Sequence, residues 1–241
     1  MNVVIAGESG IGKSSLINLI AGQQFARTSN DASVCTLAPQ SYNVRIDGRD
    51  FLLWDTPGFN EGLTDAPRTT NYSEVFRSFL QRMSFEGEID LLLYCIPASR
   101  ARIAMVKNYQ AICSVVPPTT PIVAVVTRLE RYPDQMEDWW ANNEDDLQSL
   151  GMNFAGHACV TALPDSGARA LPSSIYHRVA ESRKALRNLI RRTCLPYCIS
   201  PSVVAFPSSP LPLHESLQTE SEILKRTPEP ESVYDFHGDE H

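Results

Sequence analysis

Eight consecutive residues, Gly7-Glu8-Ser9-Gly10-Ile11-Gly12-Lys13-Ser14, carry the most specific chemistry in this chain of 241 residues. Their pattern is G-x-x-x-x-G-K-[ST], in which glycines let the backbone turn tightly and aim successive N–H groups inward. Those donors, with the positive end of the helix that follows, hold a polyphosphate. Lys13 would reach the β- and γ-phosphates, and the Ser14 hydroxyl would ligate Mg²⁺. Gly7, Glu8, Ser9, Gly10, Ile11, Gly12, Lys13, Ser14 and Ser15 are therefore the expected phosphate contacts.

Two further segments follow at spacings that suit the same site. Asp55-Thr56-Pro57-Gly58 ends an apolar run, Phe51–Trp54. An acid there would hold the Mg²⁺ shell, and the Gly58 N–H would meet the γ-phosphate and hinge. Thr127-Arg128-Leu129-Glu130 ends another run, Ile122–Val126. A carboxylate there accepts two hydrogen bonds from guanine, from its ring N–H and its exocyclic amine. Adenine has the opposite polarity on that edge, so a buried acid selects guanine. Arg128 would cover the base plane. Thr36, 22 residues after Ser14, is the choice for a threonine that meets Mg²⁺ and the γ-phosphate, with Thr28 and Ser33 as competitors. Thr161, in Cys159-Val160-Thr161-Ala162, would bring a backbone N–H to the guanine oxygen. The expected catalytic set is Lys13, Thr36 and Gly58, and the expected metal set is Ser14, Thr36 and Asp55.

The elements that must position these residues are legible as alternating strands and helices. Asn2–Ala6 is a short apolar run before the glycine-rich turn, and Lys13–Ala21 has helical spacing closed by Gly22. Tyr42–Ile46 and Phe51–Trp54 flank Asp47-Gly48, a hairpin signal. Ser73–Met83, Arg102–Val116 and Ser173–Thr193 read as helices. Ile89–Ile96, Pro121–Val126 and His157–Leu163 read as strands, the first two buried on both faces. Asp134 and Glu137 suggest a capping box for a helix with Met136, Trp140, Asn143, Leu147 and Leu150 on one stripe. Trp139-Trp140 is expected to pack in the core with one exposed edge. The pattern predicts an α/β fold, a mainly parallel six-stranded sheet with helices on both faces and one antiparallel edge hairpin.

Composition bounds the alternatives. Apolar residues make up 43%, enough for a real core, and 21 basic against 28 acidic side chains leave a net charge of -7. That argues against nucleic acid as a preferred partner. No apolar run is long enough for a membrane span and no secretory signal is evident, so the expected location is cytoplasmic. The six cysteines include no CxxC pair and are expected to be free buried thiols. Residues 197–241 hold eight acids, two bases and six of the seventeen prolines. The expected organisation is one folded domain over 1–196 and a largely disordered acidic, proline-rich tail over 197–241.

The set Gly7–Ser14, Asp55–Gly58 and Thr127–Glu130, in this order and spacing, resembles the translation-factor-related small GTPases. It looks most like the Era/TrmE, septin and immune-associated branch, and is similar to fungal G-domain-containing proteins of unassigned role. The resemblance covers about residues 2–194. It implies a G domain of six strands and five helices that binds Mg²⁺ and GTP or GDP and hydrolyses GTP. Phe59 stands where Ras-like enzymes carry a water-orienting glutamine, and Glu130 and Arg128 replace the usual aspartate and lysine. Related proteins with an apolar residue at that point rely on dimerisation across the nucleotide face, a K⁺ ion or a partner. Slow intrinsic turnover is the expectation.

Segments 23–41 and 59–71 are expected to change order with the γ-phosphate, for an effector protein to read. Arg68, Arg100 and Arg102 are candidate arginine fingers, with surface charge as the plainer reading. The last helix carries Arg178, Arg183, Lys184, Arg187, Arg191 and Arg192. These read as a solvated face, an acidic-lipid contact or a dock for the tail. Three functions compete: a GTPase switch, a GTP-dependent oligomerising scaffold with little hydrolysis, and a phosphate-loop ATPase or kinase.

Overall fold

A computed structural model describes residues 1–26, 36, 38–59, 72–163 and 172–194. The expectations for Thr28, Ser33, Cys35, Arg68, Cys198, most of both switch segments and the acidic tail lie outside these residues. The chain order is β1 (Asn2–Gly7), α1 (Lys13–Ala21), β2 (Gln40–Ile46), β3 (Arg49–Asp55), α2 (Tyr72–Phe85) and β4 (Leu91–Pro97). It continues with α3 (Ile103–Cys113), β5 (Ile122–Thr127), α4 (Met136–Ser149), β6 (His157–Cys159) and α5 (Ser173–Cys194).

The described strands form one six-stranded sheet in the order β2-β3-β1-β4-β5-β6. Only the β2–β3 pair is antiparallel. Its two-residue turn has Asp47 at φ 48° and Gly48 at φ 82°, the positive dihedrals that match strand twist in such hairpins. β1 lies between β3 and β4, so successive connections leave it in opposite directions. A crevice opens at such a point beyond the carboxyl ends of the strands.

The centre of the sheet is buried on both faces because β1, β4 and β5 are apolar along nearly all their length. Val4, Ala6, Leu92, Tyr94, Ile96, Ala124 and Val126 face one cluster, completed by Phe76, Leu80, Met105, Ile112, Trp140 and Leu147. Val3, Ile5, Leu91, Leu93, Cys95, Val123 and Val125 face the other, with Leu16, Ile17, Ile20, Leu186, Leu189 and Ile190. The alternation along each strand is the two-residue period of a pleated strand.

α1 ends at Gly22, whose φ of 74° lets its N–H return to Asn18 O at 2.8 Å. Its last carbonyls receive cations from the far end of the chain. Arg187 Nη1 donates to Ile20 O at 2.9 Å and Arg183 Nη2 to Ala21 O at 3.4 Å. Positive charge at a helix C-terminus complements the helix dipole. Arg187 Nη2 also donates to Arg45 O at 3.1 Å, and Arg191 pairs with Asp47 at 3.5 Å, so α5 ties the hairpin to α1. Two of the six cations of the face read as solvated, lipid-facing or tail-docking are thus bonded to backbone here, and a third pairs with Asp47.

Other local expectations shift. α4 begins at Met136, with Gln135 rather than Asp134 at its cap, and the Asp138 carboxylate accepts the Gln135 N–H at 3.1 Å. Glu137 is drawn instead to His157 Nε2, 3.0 Å away. Both Trp139 and Trp140 are buried, and His157 stacks on Trp140 with centroids 4.2 Å apart. The last strand has three residues rather than the seven expected, and pairs with β5 alone. Of the described cysteines, all free, Cys95 and Cys159 are buried but Cys113 is exposed and Cys194 half-buried. No described helix is long and apolar enough to cross a membrane.

Candidate functional site

The phosphate loop hangs from the end of β1. Gly7 has to be glycine: a Cβ there would lie 2.9 Å from Cys95 O and 3.0 Å from Cys95 Cβ, in the backbone of β4. Gly10 and Gly12 take φ values of 67° and 99° and turn the loop into α1. The Lys13 ammonium, buried, folds back to Gly7 O at 3.2 Å and Glu8 O at 3.1 Å. α1 has no side-chain cap on Gly12 and no acid in its first turn, so no carboxylate from its own sequence competes for its leading N–H groups. Ser9 and Gly10 are exposed, Ser14 and Ser15 half-buried, and Ile11 is sunk in the core.

Behind the loop, Asp55 collects two hydroxyls on one oxygen. Ser14 Oγ donates to Oδ2 at 2.6 Å and Thr36 Oγ1 donates to the same atom at 3.1 Å. Oδ1 is buried without a partner among the described residues. Burial pushes the Asp55 carboxyl above its usual range, against the opposing pull of Ser14, Lys13, Thr36 and the Thr56 N–H. A buried acid with an orphaned oxygen beside two hydroxyls is an all-oxygen donor set of the kind Mg²⁺ takes. Thr56 Oγ1 donates to Ile5 O at 2.6 Å and locks the end of β3 to β1.

Gly58 is buried, and Phe59 runs beside the loop in a parallel bridge with Glu8. The Phe59 N–H donates to Gly7 O at 3.1 Å and the Ser9 N–H donates to Phe59 O at 3.2 Å. The phenyl ring turns the other way, into the core, edge-on to Phe76 with centroids 4.8 Å apart. It thus stands away from the phosphates. Arg102, at the head of α3, is bound to Glu8 at 2.8 Å, and Arg100 is exposed.

On the other side of the loop, Arg128 takes φ 67° and donates Nη2 to Gly10 O at 2.7 Å. That bond joins the expected base segment to the phosphate loop. Thr127 is buried and donates to Ile96 O at 3.3 Å. Glu130 is half-buried at the outer end of the segment. Thr161 is fully buried and its N–H goes to Ser182 Oγ at 2.9 Å. That donor is committed within the protein. Direct bonds therefore link Lys13 to Gly7 and Glu8, Ser14 and Thr36 to Asp55, and Arg128 to Gly10. Among the described residues, no hydrogen bond ties Glu130 or Thr161 to the loop. Sequence reasoning missed Arg178 and Ser182 of α5, which brace the base segments. A serine at the centre of an inward helical face was the available signal.

This arrangement, a glycine-turned phosphate loop between β1 and α1 with an acid at the end of β3, defines a phosphate-loop nucleotide-binding G domain. The model of the 50S ribosome-binding GTPase family matches residues 2–128, and the chain belongs to that family. Among curated relatives, the probable GTP-binding protein EngB of Lactobacillus acidophilus is 28% identical over 131 residues, 54% of this chain and 62% of the relative. Protein YkfA of Escherichia coli, uncharacterized, is 30% identical over 105 residues, 44% and 33% respectively. This chain spans 27% to 62% of the length of such relatives. Among solved structures, Era with MgGDPNP and nucleotides 1506–1542 of 16S ribosomal RNA superposes with a TM-score of 0.55 at 18% identity, over 75% of this chain and 56% of Era. Toc33 of Arabidopsis thaliana with GDP and Mg²⁺ gives 0.52 at 20%, over 81% and 83%. These likenesses establish the fold.

Proposed function

We propose that the chain binds Mg²⁺ with GTP or GDP, hydrolyses GTP slowly and acts as a conformational switch read by an effector protein. The observation that carries the proposal is Asp55, buried, with Ser14 and Thr36 on one oxygen and the other oxygen without a partner among the described residues. Ser14, Thr36 and Asp55 would hold the ion, which would supply positive charge to offset that of the phosphates. Lys13 would exchange its two backbone carbonyls for phosphate oxygens. The loop N–H groups would bind the β-phosphate, and Gly58 would present its N–H to the γ-phosphate. Thr127, Arg128 and Glu130 would orient guanine, with Arg128 already fixed against Gly10.

No side chain at position 59 is placed to orient water, since the phenyl is in the core. This observation favours a second reading, a GTP-dependent oligomerising scaffold whose hydrolysis is completed by a second copy or by K⁺. For the neighbouring chloroplast components atToc33 and psToc159, dimerization is important for GTPase activity. Turnover per molecule that rises with protein concentration supports completion by a second copy. GTP-dependent size without turnover supports the scaffold.

The deciding experiment is titration of the full chain with fluorescent GDP, GTP and ATP, with and without Mg²⁺, beside Glu130→Ala. Guanine nucleotides should bind about a hundredfold tighter than ATP, the worth of two hydrogen bonds, and Glu130→Ala should lose that margin. Equal binding of ATP would overturn the guanine assignment.

A further inference from the structure

Arg178 and Ser182 stand four residues apart on α5, hence on one face of it. The Arg178 guanidinium donates twice, Nη1 to Leu129 O at 2.8 Å and Nη2 to Asp134 O at 2.9 Å. Those two carbonyls bracket the backbone that carries Glu130. Ser182, fully buried, accepts the Thr161 N–H at 2.9 Å and donates its own hydrogen to Arg178 O at 2.6 Å. The Met136 sulfur lies 3.5 Å from Thr161 Oγ1 and 3.9 Å from Ser182 Oγ. A single turn of α5 thus holds both segments assigned to the base, 127–130 from one side and 159–162 from the other.

We infer that Arg178 is a positioning residue for guanine selectivity, acting through Glu130, and that Ser182 fixes the facing segment; the inference rests on the proposed role of Glu130 at the base. A glutamate is one methylene longer than aspartate, so its backbone has to stand back from the base edge by about that length. The standing distance is set by whatever holds Leu129 O and Asp134 O. A planar guanidinium holds both carbonyls at once in a fixed geometry, which a lysine ammonium does not reproduce. Two hydrogen bonds to a base edge lose most of their discrimination when the acceptor moves by about an ångström. The phosphate loop lies on the other side of Arg128 and makes no bond to Arg178 or Ser182 among the described residues. A displaced Glu130 therefore costs base recognition and leaves phosphate recognition in place.

The test compares GDP with inosine diphosphate, which lacks the exocyclic amine, on the full chain. Wild type, Arg178→Ala, Arg178→Lys, Ser182→Ala and Glu130→Ala are each titrated with both. The expected result is that Arg178→Ala lowers the GDP preference about tenfold, with inosine diphosphate, which keeps the ring N–H, weakened by clearly less than GDP. Ser182→Ala moves the same ratio in the same direction, and Arg178→Lys falls between, since it can keep one of the two carbonyl bonds. Parallel weakening of both nucleotides overturns the inference and leaves Arg178 a general support. A GDP preference that survives Arg178→Ala but is lost in Glu130→Ala overturns the inference alone. A wild-type chain that takes both nucleotides alike, unchanged by Glu130→Ala, overturns the guanine assignment and the inference with it.

Discussion

Replacing Phe59 by glutamine tests whether the position after Asp55-Thr56-Pro57-Gly58 can serve as a water-orienting site. Sequence alignment with Ras-like enzymes invites the substitution as a gain of catalysis. The structure gives the opposite expectation. The backbone of residue 59 is paired to the phosphate loop through Gly7 O and the Ser9 N–H, which fixes the direction of its Cβ into the core. The phenyl is 7% exposed and meets Phe76 edge-on. Phe59→Gln would give up about 2 kcal/mol of apolar burial and about 1 kcal/mol of ring-pair energy. It would also bury an amide among apolar neighbours at about 1–3 kcal/mol. The expected loss is about 4–6 kcal/mol, comparable with the whole stability of a marginal domain. Urea unfolding of the full chain, with GTP turnover measured at a temperature where the variant remains folded, decides the matter. A variant as stable as wild type that hydrolyses GTP faster would refute the reasoning, because the side chain would then face the nucleotide.

Gly7→Ala places a methyl against the β4 backbone at Cys95, where nothing flexible can yield. It should weaken nucleotide binding about tenfold or more and lower the melting temperature, both measured on the full chain. Asp55→Asn removes a carboxylate that burial holds above its usual pKa. Because that folded value is raised, the ionised form opposes folding once pH rises above it, so the nucleotide-free variant should melt no lower than wild type at pH 7. Its nucleotide affinity should lose its dependence on Mg²⁺, and an unchanged dependence would remove Asp55 from the metal set. Glu137 is held below its ordinary value of 4.5, chiefly by the hydrogen bond with His157. Its contribution is complete above that ordinary value and disappears as pH falls through the lowered one. Glu137→Gln should therefore lower the melting temperature at pH 7 and flatten the acid limb of its pH profile, the two proteins converging once pH falls below the lowered value.

The legible parts of this molecule are those whose physics is local. The helix Lys13–Ala21 has the bounds the sequence predicts, because its glycine ends and its apolar spacing are both contiguous signals. The strands of the sheet centre are legible within two residues, since runs buried on both faces have no polar interruption. Ser14, Asp55 and Thr36 come together as their separate positions suggested. What was not legible depends on distant packing. Whether Phe59 faces the nucleotide or the core is set by Phe76 and by a bridge to Glu8, neither visible in the motif itself. The α4 cap moved by one residue because Glu137 found His157 from another element. Arg102 and Arg178 read as surface charge, yet one meets Glu8 and the other two carbonyls.

The arginines of α5 have a consequence for the order of events during synthesis. α1, which opens the phosphate loop, leaves the ribosome well before α5. The cations that satisfy its last carbonyls lie 162 and 167 residues further along. At about 5–20 residues per second, they follow after roughly ten to thirty seconds. Through that interval the face of the sheet built on Val3, Ile5 and Leu93 also lacks Leu186, Leu189 and Ile190. Nucleotide should therefore reward folding fully only once α5 docks. A nascent chain halted before Ser173 should hold GDP far more weakly than the released protein, and should be cut by protease within α1.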